Sequence, residues 1–521
     1  MSAITHKALF EKMRDTNVVA RCTDYAHWTL PQLMADFDST RGQSRHVIER
    51  DYQEVGAMLV NHLSSKLAKL LFPVSTPFFR VKPSAELLAK ASEQGKLAAL
   101  ASQLAKLELD ASQRLFLNAS YAQLIIALKH LIITGNVLMY RDSKTSSSRT
   151  YGLQSFTIRR DGAGKMMDCV LREFTTVEGL PYEVQEALRR TDRSKYSRPE
   201  RNVELYTRIH REAMPGGNAR YTVSEQVDTV PIGVESSYPE HLCPWHAPTW
   251  SLILGEHYGR GLVEDFAGGF AKLSDLSEAA TLYGIEMMRV VHLVAAGSGT
   301  DIDDLARAEQ GQYIRGDQQS VAAHESGDAA KLREVRAEIE AVFSRLARAF
   351  MYQANTRDAE RVTAYELQRD AQEAEFALGG AYSALADGIQ IPLAAVLITE
   401  ESPEALEGLV TGDLRTHIMA GIPALGRSSD VQNLLLAVQE AGTIVPALAQ
   451  LDQRFDPQKL VDLIMSGRSV DVKALHRTEQ QMQELAAAQQ QAAQGQQQIA
   501  EAQATADQMQ QLSDLAQSGQ V

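Results

Sequence analysis

The sequence predicts an α+β fold that is mainly α, and three observations carry that prediction. Apolar residues recur at three- and four-residue spacing through most of the chain, notably from Leu59 to Leu71 and from Leu332 to Phe350. One interval, about 137–254, instead holds short runs of β-branched and aromatic residues separated by turn dipeptides. With 521 residues and 44% apolar content, the chain is long enough for more than one core.

Taken in order, Leu59, Leu63, Leu67, Leu70 and Leu71 share one face of a first strong helix. Phe72-Pro73 stops it, because proline restricts its predecessor and donates no hydrogen bond. Helical patterning returns from about Glu86 to Leu117 and from Tyr121 to Thr134, where Gly135-Asn136 reads as a C-terminal cap. Strands are predicted at Val137–Tyr140, Gln154–Ile158, Val170–Thr175, Val203–Ile209 and Tyr221–Val227, with a short helix near Tyr182–Arg190. Asp161-Gly162 and Pro215-Gly216-Gly217 mark turns between them.

Beyond Gly261 the pattern is helical again. Leu273, Leu276, Ala280, Tyr283 and Met287 mark one amphipathic helix. Leu332, Val335, Ile339, Val342, Phe343, Leu346 and Phe350 mark a second, each roughly 30–37 Å long. The polar, glycine- and aspartate-rich excursion Ala295–Gly327 lies between them, so the pair reads as a hairpin with a projecting tip. A further helical stretch covers Val362 to about Thr399, bent near Gly379-Gly380 and at Pro392, and shorter helices follow from Pro403 to Met465. The tail carries sixteen glutamines between Gln480 and Gln520 and fits either a weak helix seam or disorder.

Charge and chemistry exclude more than they assign. The chain has 66 acidic against 52 basic side chains, net −14, unlike a domain built to grip phosphates. Cys22, Cys169 and Cys243 are far apart and form no CxxC, as in a reducing compartment. The start, MSAITHKALFEKMRD, has no signal-peptide core, so the expectation is a soluble intracellular protein with no membrane partner. Gly162-Ala163-Gly164-Lys165-Met166 lacks the spacing of a nucleotide loop and reads as a hairpin turn. His241, His246 and His257 near Cys243 lack metal-ligand spacing, and Asp301-Ile302-Asp303-Asp304 reads as an acidic helix N-terminus. No catalytic, metal or cofactor site is expected. Gln353–Arg361 separates two helical segments, with Arg357 and Arg361 alternating with Asp358 and Glu360. It suits an interhelical loop with local ion pairs or a mobile loop that meets a polyanion.

From this point a resemblance appears. Glu360-Arg361-Val362-Thr363-Ala364-Tyr365-Glu366-Leu367, Leu378-Gly379-Gly380-Ala381-Tyr382-Ser383 and Gln390-Ile391-Pro392-Leu393 resemble the portal, or head-to-tail connector, proteins of short-tailed T-seven-like podoviruses. Matches in the same order include Leu63-Ser64-Ser65-Lys66-Leu67, Gly135-Asn136-Val137-Leu138-Met139-Tyr140, Gly255-Glu256-His257-Tyr258-Gly259-Arg260 and Gly421-Ile422-Pro423-Ala424-Leu425-Gly426-Arg427. Together they cover about Arg21 to Asp430.

The resemblance implies a homo-oligomeric ring of twelve subunits at one capsid vertex, assembled in the host cytoplasm and carried in the virion. It implies a portal fold with a helical wing over 1–261 bearing the β-rich insert, a first stem helix over 262–294 and a clip over 295–327. A second stem helix over 328–352, a channel loop over 353–361 and a long wing helix over 362–392 follow. The α-helical crown would occupy 393–476, and 477–521 would form a helical barrel or a disordered tail. Implied partners are double-stranded DNA without sequence preference, the terminase large subunit, the major capsid and scaffolding proteins, a tail adaptor and internal core proteins.

In such a ring the formal charge is 12 × −14 = −168, so DNA contacts should be few and salt-sensitive. The channel loop supplies Asn355, Thr356, Arg357, Asp358, Glu360 and Arg361, of which Arg357 and Arg361 are first choices for touching DNA. Lys331, Arg333, Arg336 and Arg345 on the stem come next. Replacing Gly379 and Gly380 by alanine is expected to stiffen the long helix, at up to about 1 kcal/mol of propensity per site. A tail adaptor or collar protein is the competing reading.

Overall fold

The computed structural model describes residues 4–35, 51–74, 77–93, 97–214, 219–288, 290–297, 300–309, 312–313, 319, 321–325, 329–352, 380–405, 408–409 and 414–418. The chain divides into two compact units, Met1–Leu425 and Gly426–Val521, and the second lies outside the described residues. So does most of the predicted crown, together with the glutamine-rich tail.

The first unit mixes helix and sheet. Helices α1 (His6–Met13), α2 (Thr16–His27) and α3 (Val55–Leu71) lead to strand β1 (Phe79–Pro83). Helices α4 (Ala85–Glu93), α5 (Leu97–Gln113) and α6 (Ser120–Thr134) follow. In α3 the apolar stripe read from the sequence is buried at Leu59, Leu63, Leu67 and Leu71, and the helix packs on Leu124, Leu128 and Leu131 of α6. Gly135 ends α6 at φ +72°, its N–H bonded to the Leu131 carbonyl at 2.9 Å. A side chain there would meet the Arg260 backbone at 2.3 Å, so only glycine fits. The stretch predicted as one helix over 86–117 is divided into α4 and α5, with 94–96 outside the described residues.

The β-rich insert contains β2 (Leu138–Asp142), β3 (Ser147–Tyr151), β4 (Phe156–Arg160), β5 (Met166–Thr176), α7 (Tyr182–Thr191) and α8 (Arg193–Tyr196). It continues through β6 (Asn202–Ala213), β7 (Ala219–Val227), β8 (Val230–Pro239) and β9 (Trp245–His246). Two antiparallel sheets result, one in the order β4-β5-β6-β7-β8 and the other β3-β2-β9. The β5–β6 ladder runs from Asp168 opposite His210 to Thr176 opposite Asn202. The Gly162-Ala163-Gly164 run is indeed a hairpin turn, with Gly164 at φ +84° and the Asp161 carboxylate accepting the N–H groups of Ala163 and Lys165 at 2.9 and 2.8 Å.

The sequence reading missed β3, β8 and β9. Serines dominate β3, which pairs as the edge partner of β2. Pro231, Gly233 and Pro239 mask β8, and they are tolerated because β8 is an edge strand with an irregular register near Val223 and Glu225. Strand β9 is two residues long, too short for any period to show.

The next segment starts with α9 (Leu262–Asp265) and α10 (Ala267–Met287), then β10 (Val290–Val294) and α11 (Ile302–Arg307). Strand β11 (Val321–Glu325) and helix α12 (Ala329–Ala349) complete it. The predicted first stem segment over 262–294 is therefore helical only to Met287, and Val290–Val294 pairs with Val321–Glu325 as an antiparallel ribbon. Val290, Val291, Leu293 and Val294 are β formers, which favours the switch. Asp301 caps α11 by accepting the Asp303 N–H at 2.8 Å, as an acidic helix N-terminus should.

The last described elements are α13 (Ala381–Leu385), a π-helical turn over Ala386–Gln390, α14 (Ile391–Glu401) and β12 (Leu414–Ile418). Gly380 lies at φ +87°, in the left-handed region just before α13. Pro392 does not break the helix, contrary to its reading as a bend. The π turn widens the backbone upstream, and proline enters at the first turn of α14, where no N–H is needed. Ser383–Glu401 is long and apolar enough to cross a membrane, but Leu393, Ala394, Leu397 and Ile398 are buried in the protein core. Strand β12 corrects the expectation of helices alone after Pro403, and it pairs with β1 from Phe79↔Ile418 to Pro83↔Leu414. Leu414, Thr416 and Ile418 alternate with Arg415 and His417, a period of two too brief to stand out in sequence.

Candidate functional site

The part of this chain that sequence reasoning singles out is the hairpin of α10 and α12. Its root is set in the main core. Phe350 is fully buried, with its ring edge-on to Phe270 at 5.5 Å and to Phe266 at 6.1 Å. Leu273, Val342 and Leu346 pack there, and Gly269 lets Leu346 approach, since an added Cβ would lie 3.2 Å from its Cδ2. Every residue of the predicted α12 stripe, from Leu332 to Phe350, is buried or half-buried.

Farther out the hairpin exposes a second apolar strip. Leu282, Ile285, Met288 and Leu293 are 52%, 57%, 76% and 54% exposed. Side chains of this size, grouped and uncovered in one chain, mark a surface for another chain. Lys272 on α10 pairs with Glu338 on α12, and that hydrogen bond holds the Glu338 carboxyl below its ordinary range.

The basic stem candidates are placed but not gathered. Lys331, Arg333, Arg336 and Arg345 are all exposed on α12. At about 100° per residue, Lys331 and Arg345 fall on one flank, and Arg333 and Arg336 fall on the other. Glu338 shares the first flank and Glu340 the second. Helix α12 therefore presents mixed charge rather than a basic track.

Asn355, Thr356, Arg357, Asp358, Glu360 and Arg361 of the predicted channel loop, and Gly379, lie outside the described residues. The point where the loop begins is described. Met351, at φ +55°, ends the helical path, and the Tyr352 N–H returns to the Ala347 carbonyl at 2.7 Å. His62 of α3 sets its ring edge-on to Tyr352 at 5.1 Å. Burial pushes the His62 pKa down, a hydrogen bond to the Met351 backbone opposes this, and Lys66 and Lys69 lower it further.

Sequence reasoning passed over His62, Lys66 and Lys69. Their spacing of four and three was the available signal, because it aligns them along one helix face beside the loop root. A broader signal surrounds them: no Asp or Glu occurs from Val55 to Ala85, which holds Lys66, Lys69, Arg80 and Lys82.

Chemistry is sparse elsewhere. Cys22, Cys169 and Cys243 are free and buried, and burial pushes the thiols of Cys22 and Cys243 up to about 12, so neither is a nucleophile at neutral pH. His246 is held in β9 with its pKa down to about 4, while His257 accepts the Arg160 N–H through Nδ1 at 3.2 Å. Among the described residues, no group of three or more His, Cys, Asp or Glu is placed to hold a metal ion.

What this architecture offers is a rooted hairpin, an uncovered apolar strip and a short basic row at the hairpin base. The chain is 42% identical over 489 residues to the portal protein of Pseudomonas phage phiKMV, covering 94% of each chain. It is 31% identical over 477 residues to the portal protein of Enterobacteria phage SP6, covering 91% of this chain and 90% of that one. Identity to the portal protein of Escherichia phage T7 is 27% over 492 residues, covering 93% and 90%. Residues 4–475 match the family described as bacteriophage head to tail connecting protein, and the chain belongs to that family.

Proposed function

We propose that this chain is the subunit of a twelve-membered portal ring at a single capsid vertex. A separate terminase motor drives double-stranded DNA through the ring, the same channel later releases it, and the tail attaches there. The observation that carries this reading is a hairpin rooted by Phe266, Phe270 and Phe350, whose outer apolar strip asks for a neighbouring copy. Relatives called portal proteins over nine-tenths of the chain disfavour a tail adaptor or collar.

In this reading 1–261 and 362–392 form the wing, α10 and α12 the stem, and 295–327 the clip that meets the terminase large subunit and then the tail adaptor. The crown over 393–476 and the tail over 477–521 face the capsid interior and its core proteins. The ring is built in the host cytoplasm with scaffolding and major capsid proteins. Its role is structural, and ATP hydrolysis belongs to the terminase. Mixed charge on α12 keeps the wall from adhering to DNA, while Arg357 and Arg361 at the loop, with Lys66 and Lys69 at its root, centre it.

The loop tests the channel. Arg357→Ala, or deletion of Asn355–Asp358, should leave ring formation intact and lower the DNA retained in filled heads, read as protected genome per particle. Rings that fail to assemble would make the loop a structural element instead.

A further inference from the structure

The two-stranded ribbon of β1 and β12 carries a feature that the proposed function above does not invoke. Its register sets Arg80 opposite His417 and Lys82 opposite Arg415. Strand alternation puts these four positions on one face and turns Phe79, Val81 and Ile418 to the other, where all three are buried. Arg80, Lys82 and Arg415 are exposed. Along a strand such positions lie about 7 Å apart, and across the ribbon about 5 Å.

Like charges directly opposite one another destabilise a ribbon. Here the chain sets Lys82 against Arg415 in a protein whose net charge is −14. Among the described residues, Glu108 of α5 accepts the Val81 N–H at 2.8 Å and lies 3.9 Å from Arg80. It offsets one charge of the three.

We propose that the exposed face of the β1–β12 ribbon is a phosphate-binding surface for double-stranded DNA, made by residues other than the loop arginines Arg357 and Arg361. The proposal rests on the portal reading above. Charge complementarity names the occupant. Neither strand exposes a large apolar side chain, so a protein partner would find no apolar patch on which to build an interface core. A phosphate backbone needs none, and its binding runs on counterion release. The contact is sequence-independent and weak, and it suits DNA that must lie against the protein and then leave.

The test uses the full-length protein and a short fluorescein-labelled duplex, with anisotropy read from about 50 to about 200 mM salt. For Lys82→Gln/Arg415→Gln, duplex affinity should fall about tenfold at the lowest salt, and the slope of log affinity against log salt should be shallower by about 2. Lys82→Glu adds a readout that a merely structural role would not give. It places a carboxylate opposite Arg415, so thermal stability should hold or rise while duplex affinity falls. Unchanged affinity and slope in the double variant would overturn the proposal. So would lost self-assembly with duplex binding retained, which would put a second copy of the chain on the ribbon. Ring formation by the unmodified protein reports on the portal reading separately, so failure of one is distinguishable from failure of the other.

Discussion

Arg141 and Glu400 are separated by 259 positions, yet they form a fully buried bidentate pair, Nε to Oε1 and Nη2 to Oε2 both at 2.8 Å. Ser120 and Ser148 accept the remaining guanidinium protons at 3.2 Å, which ties the end of α14 to the insert. Glu400→Ala would strand a buried cation and should cost about 3–5 kcal/mol, checked by urea unfolding. Nothing in the sequence pointed to this pair, because its partners come from distant segments. The reverse holds at Gly135-Asn136, whose capping role was legible; what was not is that Asn136 also grips the Gly259 backbone at 2.7 and 2.8 Å. His130 is buried and His246 half-buried, and withdrawal of both rings from water holds them near a pKa of about 4, with Nδ1 of one and Nε2 of the other lacking a hydrogen-bond partner. A histidine whose folded pKa is lowered is protonated first in the unfolded chain. Stability should therefore be full above about pH 6.5 and fall progressively toward pH 4, by up to about 3 kcal/mol per histidine, a trend that melts across that range will check.

Among the elements, the long helices were the most legible. The seven-residue stripe of α12 was complete in the sequence because a 3.6-residue period sustained for 19 residues leaves little ambiguity. Strands β10, β11 and β12 were not legible, since they hold five residues each and are defined by partners elsewhere in the chain, whereas the equally short β2 and β4 showed through their β-branched and aromatic runs. Gly380 reverses an expectation. Alanine there was expected to gain helix propensity, but φ +87° places the residue where an L side chain is strained. Gly380→Ala should lower stability by about 1–2 kcal/mol, visible as a lower melting temperature. An unchanged or raised melting temperature would mean that the left-handed backbone at Gly380 relaxes into helix.

On the scale of the whole molecule, the acidic balance first argued against a nucleic-acid partner. The proposed channel turns that argument round, since a passage for DNA works best when the bulk of its wall repels phosphate. Two local basic groups stand out among the described residues: Lys66 and Lys69 at the loop root, and Arg80, Lys82 and Arg415 on the ribbon. The sequence contained both groups in the acid-free run from Val55 to Ala85, but only β-pairing brought Arg415 to the second. The central claim is that copies of this chain close into a ring around an axial passage. Electron microscopy of the purified full-length protein tests it most directly. Twelve-fold rings with a central hole wide enough for duplex DNA are the predicted result, and a monomer, or a ring with no through-hole, would contradict the account.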